Sequence, residues 1–169
     1  GIRSAGKRDT LDNLFSATDA PVLMDWLRQL PLAHYANNCL MVHAGVQPSW
    51  DTAQTLEHSQ EFSSALTASD WKAFLADLFS NFPDQWHNEL SGMARQRVIV
   101  NTLTRMRFLH INGAMDFQYK RTLEETPSHL IPWFAHPLRR TADTLVAFGH
   151  WSALGLIVHH NLLSLDTGC

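Results

Sequence analysis

Two apolar runs of four residues lie far apart in this chain and share one design. Cys39-Leu40-Met41-Val42 leads into His43, Ala44 and Gly45, and Leu145-Val146-Ala147-Phe148 leads into Gly149 and His150. A short continuous apolar run bounded by turn-forming residues reads as a buried strand. Residues 51–140, between the two runs, are dominated by helical spacing. Strands at both ends with helices between them predict an α/β, sheet-based domain: a core over 1–50 and 141–169 with a helical cap over 51–140. A long insertion between core strands commonly shapes a substrate cleft.

The finer pattern follows the same division. Leu11, Leu14 and Phe15, then Val22, Leu23, Trp26, Leu27 and Leu30, have helical spacing, and Asp19 with Pro21 makes a helix start. Residues 31–45 read as two short strands joined by the Asn37-Asn38 turn. Helical spacing returns at Phe62, Ala65 and Leu66 and again at Trp71, Phe74, Leu75 and Leu78. Residues 81–86 read as a loop and 94–110 as a long amphipathic helix, although the β-branched run Val98–Val100 weakens its start. Asn112-Gly113 marks a turn before a short strand. Residues 121–143, with Pro127, Pro132 and Pro137, read as loop and short helix, and the last residues as two strands around a His160-Asn161 turn. The sequence has no internal repeat and no low-complexity tract.

Composition excludes several classes. Hydrophobic residues make up 45% and charged residues 17%, which supports a packed core. The formal net charge of −3 offers no broad basic field for DNA. No apolar stretch reaches the ~18 residues of a membrane span, and the first ten residues lack the apolar centre of a signal peptide. Cys39 and Cys169 do not make a disulfide framework. A cytoplasmic protein is the reading these features favour. The chain has no initiator Met and stops where a strand runs into a Gly turn. It is therefore expected to be a piece of a longer protein cut at both ends; an unusual natural terminus or a processed product is the alternative.

His43 and His150 are the first candidates for chemistry. Strand ends in α/β layers hold side chains rigidly, neutral imidazole is a common metal ligand, and the small neighbours leave room beside the ring. Two readings fit: the pair binds one metal ion, or each is a hydrogen-bonded structural residue. His159 and His160, adjacent on the chain, are expected to face apart as turn residues. Arg105 and Arg107 offer forks of donors suited to phosphate. On an ideal helix they diverge by about 200°, so they share a face only if the segment is extended or distorted. Asp166 either orients a ligand histidine from behind or caps its own turn. Trp86, Trp133 and Trp151 read as packing, with stacking on a base as the alternative for an aromatic beside a cleft. There is no Gly-rich phosphate loop, no Cys-x-x-Cys and no Gly-x-Ser-x-Gly. From the residues alone, the chain is an α/β domain with a candidate His-metal and Arg-phosphate site.

The segments "MVHAGVQPSW", "NTLTRMRF", "NGAMDFQYK", "PWF", "FGHW" and "LDTGC" occur in this order. Together they closely resemble the symmetrical bis(5′-nucleosyl)-tetraphosphatases, within the calcineurin-like metallophosphoesterases. The resemblance implies a two-sheet sandwich with a helical cap, of which this is the C-terminal part, with both sheets mixed. It implies a site with two divalent metals per complete enzyme, Mn2+ or Co2+, and hydrolysis of diadenosine tetraphosphate to two ADP. His43 and His150 would be ligands of one metal, and Arg105 and Arg107 would be the best candidates to hold the polyphosphate. The family's Gly-Asp-x-His-Gly, Gly-Asp-x-Val-x-Arg-Gly and Gly-Asn-His-Asp motifs do not occur here. The isolated chain is therefore expected to be inactive. Phosphoprotein and nucleoside-tetraphosphate-capped RNA are the alternative substrates; membrane and DNA are not expected partners.

Overall fold

The computed structural model describes residues 10–168, so Cys169 lies outside the described residues. Helices α1 (Asp12–Phe15) and α2 (Ala20–Arg28) lead into strands β1 (Ala33–Ala36) and β2 (Cys39–Val42). Three helices follow: α3 (Thr52–Thr67), α4 (Trp71–Leu78) and α5 (Gly92–Arg105). Then come β3 (Phe108–His110), β4 (Met115–Asp116), β5 (Leu130–Pro132) and a 3-10 turn, Trp133–Ala135. Strand β6 (Leu145–Phe148), a second 3-10 turn (Ser152–Leu154), β7 (Ile157–His159) and β8 (Leu162–Ser164) complete the order.

The main sheet has five strands in the order β1-β2-β6-β8-β7. Its inner pairs, β2 with β6 and β6 with β8, are parallel, and its outer pairs are antiparallel. The two apolar runs of the sequence are therefore direct neighbours, with Cys39 opposite Leu145 and Met41 opposite Ala147. The Asn37-Asn38 turn forms as expected, with φ of 51° and 59°, the double left-handed pattern of a tight hairpin. A second sheet, β4-β3-β5, is antiparallel throughout. The architecture is α/β with one mixed sheet and one antiparallel sheet, where two mixed sheets were expected.

Two further expectations are corrected. The helix read over 94–110 stops at Arg105, where Met106 turns to extended backbone (ψ 135°). Phe108 and Leu109 are fully buried and pair with β4 and β5, so sheet partners outside the window overrode its helical spacing. Val98 and Ile99, by contrast, stay helical because they are completely buried in the core. Strand β5 replaces expected loop, and Pro132 is tolerated there because β5 is an edge strand. The segment between β2 and β6 thus holds three helices and a three-stranded sheet, of which the short strand after Asn112-Gly113 was expected.

The core gathers Leu40, Val46, Trp50, Leu103, Met106, Trp133 and Val146 around the start of the main sheet and α5. Helix α3 is set by a capping box: Asp51 accepts from Gln54 N at 2.9 Å, and the Gln54 side chain accepts from Asp51 N at 3.2 Å. The apolar face expected over 10–30 is largely on the surface; Val22 is 69% exposed and Trp26 59%. Among the described residues, no helix is long and apolar enough to cross a membrane.

Candidate metal and phosphate site

Parallel pairing puts the carboxyl ends of β2 and β6 side by side, and each strand delivers its histidine there. Gly149 N donates to His43 O at 2.9 Å, which extends the pairing past both strands. Trp151 N then donates to Gly149 O at 2.8 Å, closing a three-residue turn around His150. His150 sits at φ +63°, a left-handed backbone that side chains seldom adopt and that costs strain. The turn aims its ring at His43: the ring centroids are 5.1 Å apart, inclined at 53°. His43 is exposed and His150 half-buried. Nε2 of His150 is buried without a hydrogen-bond partner. A cleft of about 390 Å3 opens here, lined by His43, Gly149, His150 and Asp166 among others.

The small residues after His43 have another task than making room for a ligand. Ala44 N donates to Leu103 O at 2.8 Å, tying the loop to the end of α5. A Cβ on Gly45 would lie 3.0 Å from Met106 Cε and from two atoms of the Trp133 ring. A side chain at Gly45 would thus crowd Met106 and Trp133 under the loop. Gly149 is less confined; a Cβ there would stand 3.5 Å from Asp166 Cβ and 3.6 Å from His43 O, ordinary contact.

Burial is the main reason that His150 is pulled down from 6.5 to about 4. Arg107 and then His43 add to this; a backbone hydrogen bond to Arg105 and the charge of Asp166 oppose it. The ring is neutral at neutral pH, the form that coordinates metals. Arg107 stands directly beside it, one guanidinium nitrogen donating to His150 O at 3.0 Å. Burial, more than any neighbour, lowers the Arg107 value; Asp166 opposes and Arg105 adds.

The two arginines separate because the helix ends between them. Arg105 spends its fork on Asn101 Oδ1 (2.8 Å) and Asn81 Oδ1 (2.9 Å), and its guanidinium lies 4.5 Å above the Phe117 ring. Of the two side chains, the Arg107 guanidinium is the one that bonds the histidine turn. Asp166 caps its own turn, accepting from Gly168 N at 3.0 Å. No described residue links its carboxylate by hydrogen bond to either imidazole. His159 and His160 do not face apart: their rings are 3.8 Å apart, because His160 takes φ +48° at the turn. Trp133 and Trp151 are buried as packing residues; Trp86 is half-buried.

The sequence reading missed Arg140. It donates to Asp51 Oδ2 (2.6 Å), Gln54 Oε1 (2.7 Å) and Ser49 O (3.1 Å), locking the loop after His43 to the segment entering β6. Its partners lie 86 to 91 residues away, so no local pattern marks it.

The donor chemistry fits part of a divalent-ion site. Two imidazoles converge at a spacing that one ion could bridge, and one presents a buried, unpartnered nitrogen. Among the described residues, no group of three or more His, Cys, Asp or Glu is gathered to complete it.

No protein-family model matches the chain. Curated relatives align along its whole length. A protein of Janthinobacterium sp. (strain Marseille) named "Bis(5'-nucleosyl)-tetraphosphatase, symmetrical" is 48% identical over 169 residues, all of this chain and 62% of that protein. Proteins of the same name are 46% identical in Paraburkholderia phymatum and 47% in Ralstonia nicotianae, again over the whole chain and over 60% and 59% of their own lengths. The chain thus spans about 60% of the length of these relatives.

Proposed function

We propose that this chain forms the C-terminal portion of a calcineurin-like, two-metal phosphoesterase that splits diadenosine tetraphosphate symmetrically into two ADP. The observation that carries the proposal is the meeting of His43 and His150 beside Arg107 at the ends of two parallel strands. Full-chain similarity to proteins named for that reaction supports it.

In this reading His43 and His150 hold one divalent ion of the manganese or cobalt class. Such an ion, when bound, would supply an activated water and polarise a phosphoryl oxygen. His150 is prepared for its part: burial keeps the ring neutral, and the strained turn holds Nε2 ready without a competing partner. Arg107 keeps a guanidinium nitrogen on the backbone of that same turn. Its remaining N–H groups are available to a phosphate oxygen, in a partly buried setting where charge-assisted hydrogen bonds are strong. The Arg105 side chain fixes the end of α5 from which Arg107 emerges.

A second reading concerns the isolated chain. With two imidazoles and no third donor gathered among the described residues, residues 1–169 should bind metal weakly and turn over negligibly. One experiment addresses both. Mn2+ is titrated into the chain while paramagnetic broadening of the histidine NMR signals is followed, with His43→Ala and His150→Ala as controls. Selective broadening lost in either variant is expected. In parallel, the chain and a form extended upstream in the reading frame are assayed against diadenosine tetraphosphate, a phosphopeptide and nucleoside-tetraphosphate-capped RNA. Preference of the extended form for the dinucleotide supports the proposal; preference for either other substrate overturns it. Vigorous hydrolysis by 1–169 alone would sink the inert-chain reading.

A further inference from the structure

Among the described residues, four that are not glycine take a positive φ. Asn37, Asn38 and His160 do so in the turns of two hairpins, β1-β2 and β7-β8. His150 is the fourth, and no hairpin accounts for it. The bond from Trp151 N to Gly149 O encloses it in the left-handed three-residue turn, the rare and strained form. Such a conformation persists only where its surroundings over-determine it. Here the support comes from the short segment that follows α5. Arg107 Nη2 donates to His150 O at 3.0 Å, a charge-assisted bond. No backbone N–H of the described residues bonds that oxygen. Phe108, the next residue, packs its ring edge-on against Trp151 with centroids 4.5 Å apart. The segment is itself anchored, since Met106 and Phe108 are buried and Trp133 N donates to Arg107 O at 3.0 Å.

We infer that Arg107 is a positioning residue for the metal ligands: it holds the His150 carbonyl, and with it the strained turn that points the imidazole at His43. The inference rests on the reading of the preceding subsection, which gives Arg107 only a phosphate to hold. The two roles predict opposite signs for metal binding in the absence of phosphate. The Arg107 charge disfavours a proton on the His150 ring, and a guanidinium this close disfavours a metal cation in the same place. If Arg107 served phosphate alone, its removal would relieve that repulsion and tighten the grip on the ion. If Arg107 holds the turn, its removal frees His150 to leave the left-handed conformation, and the ring no longer waits beside His43. Partners that orient a metal ligand from behind are worth about 10- to 100-fold in metal affinity. The loss of orientation therefore outweighs the relief of charge, which is diluted because the cleft is open to water.

The test titrates Mn2+ into the 169-residue chain and into Arg107→Met, without phosphate, and follows the broadening of the histidine NMR signals. Methionine keeps an apolar stem and removes the donors. Mn2+ affinity should fall about ten-fold in the variant; unchanged or tighter binding overturns the inference. A second measurement needs no metal. Hydrogen exchange at the backbone N–H of Trp151, which closes the turn, should quicken about ten-fold in Arg107→Met. Exchange at Val146 N–H, inside the main sheet, should stay as it is. Unchanged exchange at Trp151, or equal acceleration at both amides, overturns the inference. If Mn2+ broadens His43 and His150 equally in both proteins, the metal site stands and the role of Arg107 in it falls. If Mn2+ broadens neither histidine in the unmodified chain, the metal reading falls, and exchange at Trp151 still decides whether Arg107 holds the turn.

Discussion

A methyl group at Gly45 would press on Met106 and Trp133 from 3.0 Å, whereas one at Gly149 would meet its neighbours at 3.5 Å or more. Gly45→Ala is therefore expected to lose about 1–3 kcal/mol of stability, and Gly149→Ala to stay within about 0.5 kcal/mol of the parent. Urea denaturation of the two variants measures this; the reverse order would refute the packing role of Gly45. The two histidines were legible at this scale, since an apolar run ending on His beside Gly is a local signature. The reason for the glycine was not, because Met106 and Trp133 reach Gly45 from elsewhere in the chain.

Helix α5 and strand β3 show how one boundary decides the roles of two side chains. Had the helix run on to residue 110, as its spacing suggested, Arg105 and Arg107 would have pointed far apart on one cylinder. Instead Arg105 closes the helix against two asparagines, and Arg107 leaves it toward His150. Arg105→Ala should cost about 1–2 kcal/mol of stability, the range for a lost charged hydrogen-bond pair, and leave tripolyphosphate affinity intact. Arg107→Ala should lower that affinity by about ten-fold, equivalent to about 1.4 kcal/mol, with little effect on stability. Calorimetric titration beside thermal unfolding separates the two outcomes, and a swapped pattern would reverse the assignment. The boundary itself was hidden because β3 exists through its partners: Phe108 lies opposite Asp116 on one side and Pro132 on the other. The hairpin β1-β2 was legible because its turn chemistry is local.

At the scale of the molecule, the strands of the main sheet were legible one by one and their order was not. Nothing in the letters of β2 or β6 says that they are neighbours. The same long-range assembly buries His58, on α3, against Trp50 and Trp86 at centroid distances of 4.5 and 4.6 Å. Burial first, then the charge of Arg95, pulls His58 from 6.5 to about 4, with Glu61 opposing. As pH falls below 6.5, the unfolded chain takes a proton that the folded chain refuses until about pH 4. The stability that neutral His58 confers is thus whole above pH 6.5 and is lost progressively toward pH 4. His58→Phe should flatten the fall of unfolding free energy across that window, measured by urea titration at a series of pH values. An unaltered slope would discount the coupling.

The crossover that joins β2 to β6 has one more consequence. The two imidazoles are strangers until roughly a hundred intervening residues have been laid down and folded back, and closing so long a span carries an entropic cost. An ion gripped by both would work as a cross-link over that span, fastening the first half of the chain to its last strands. Chelation would then loosen the fold as well as silence the chemistry.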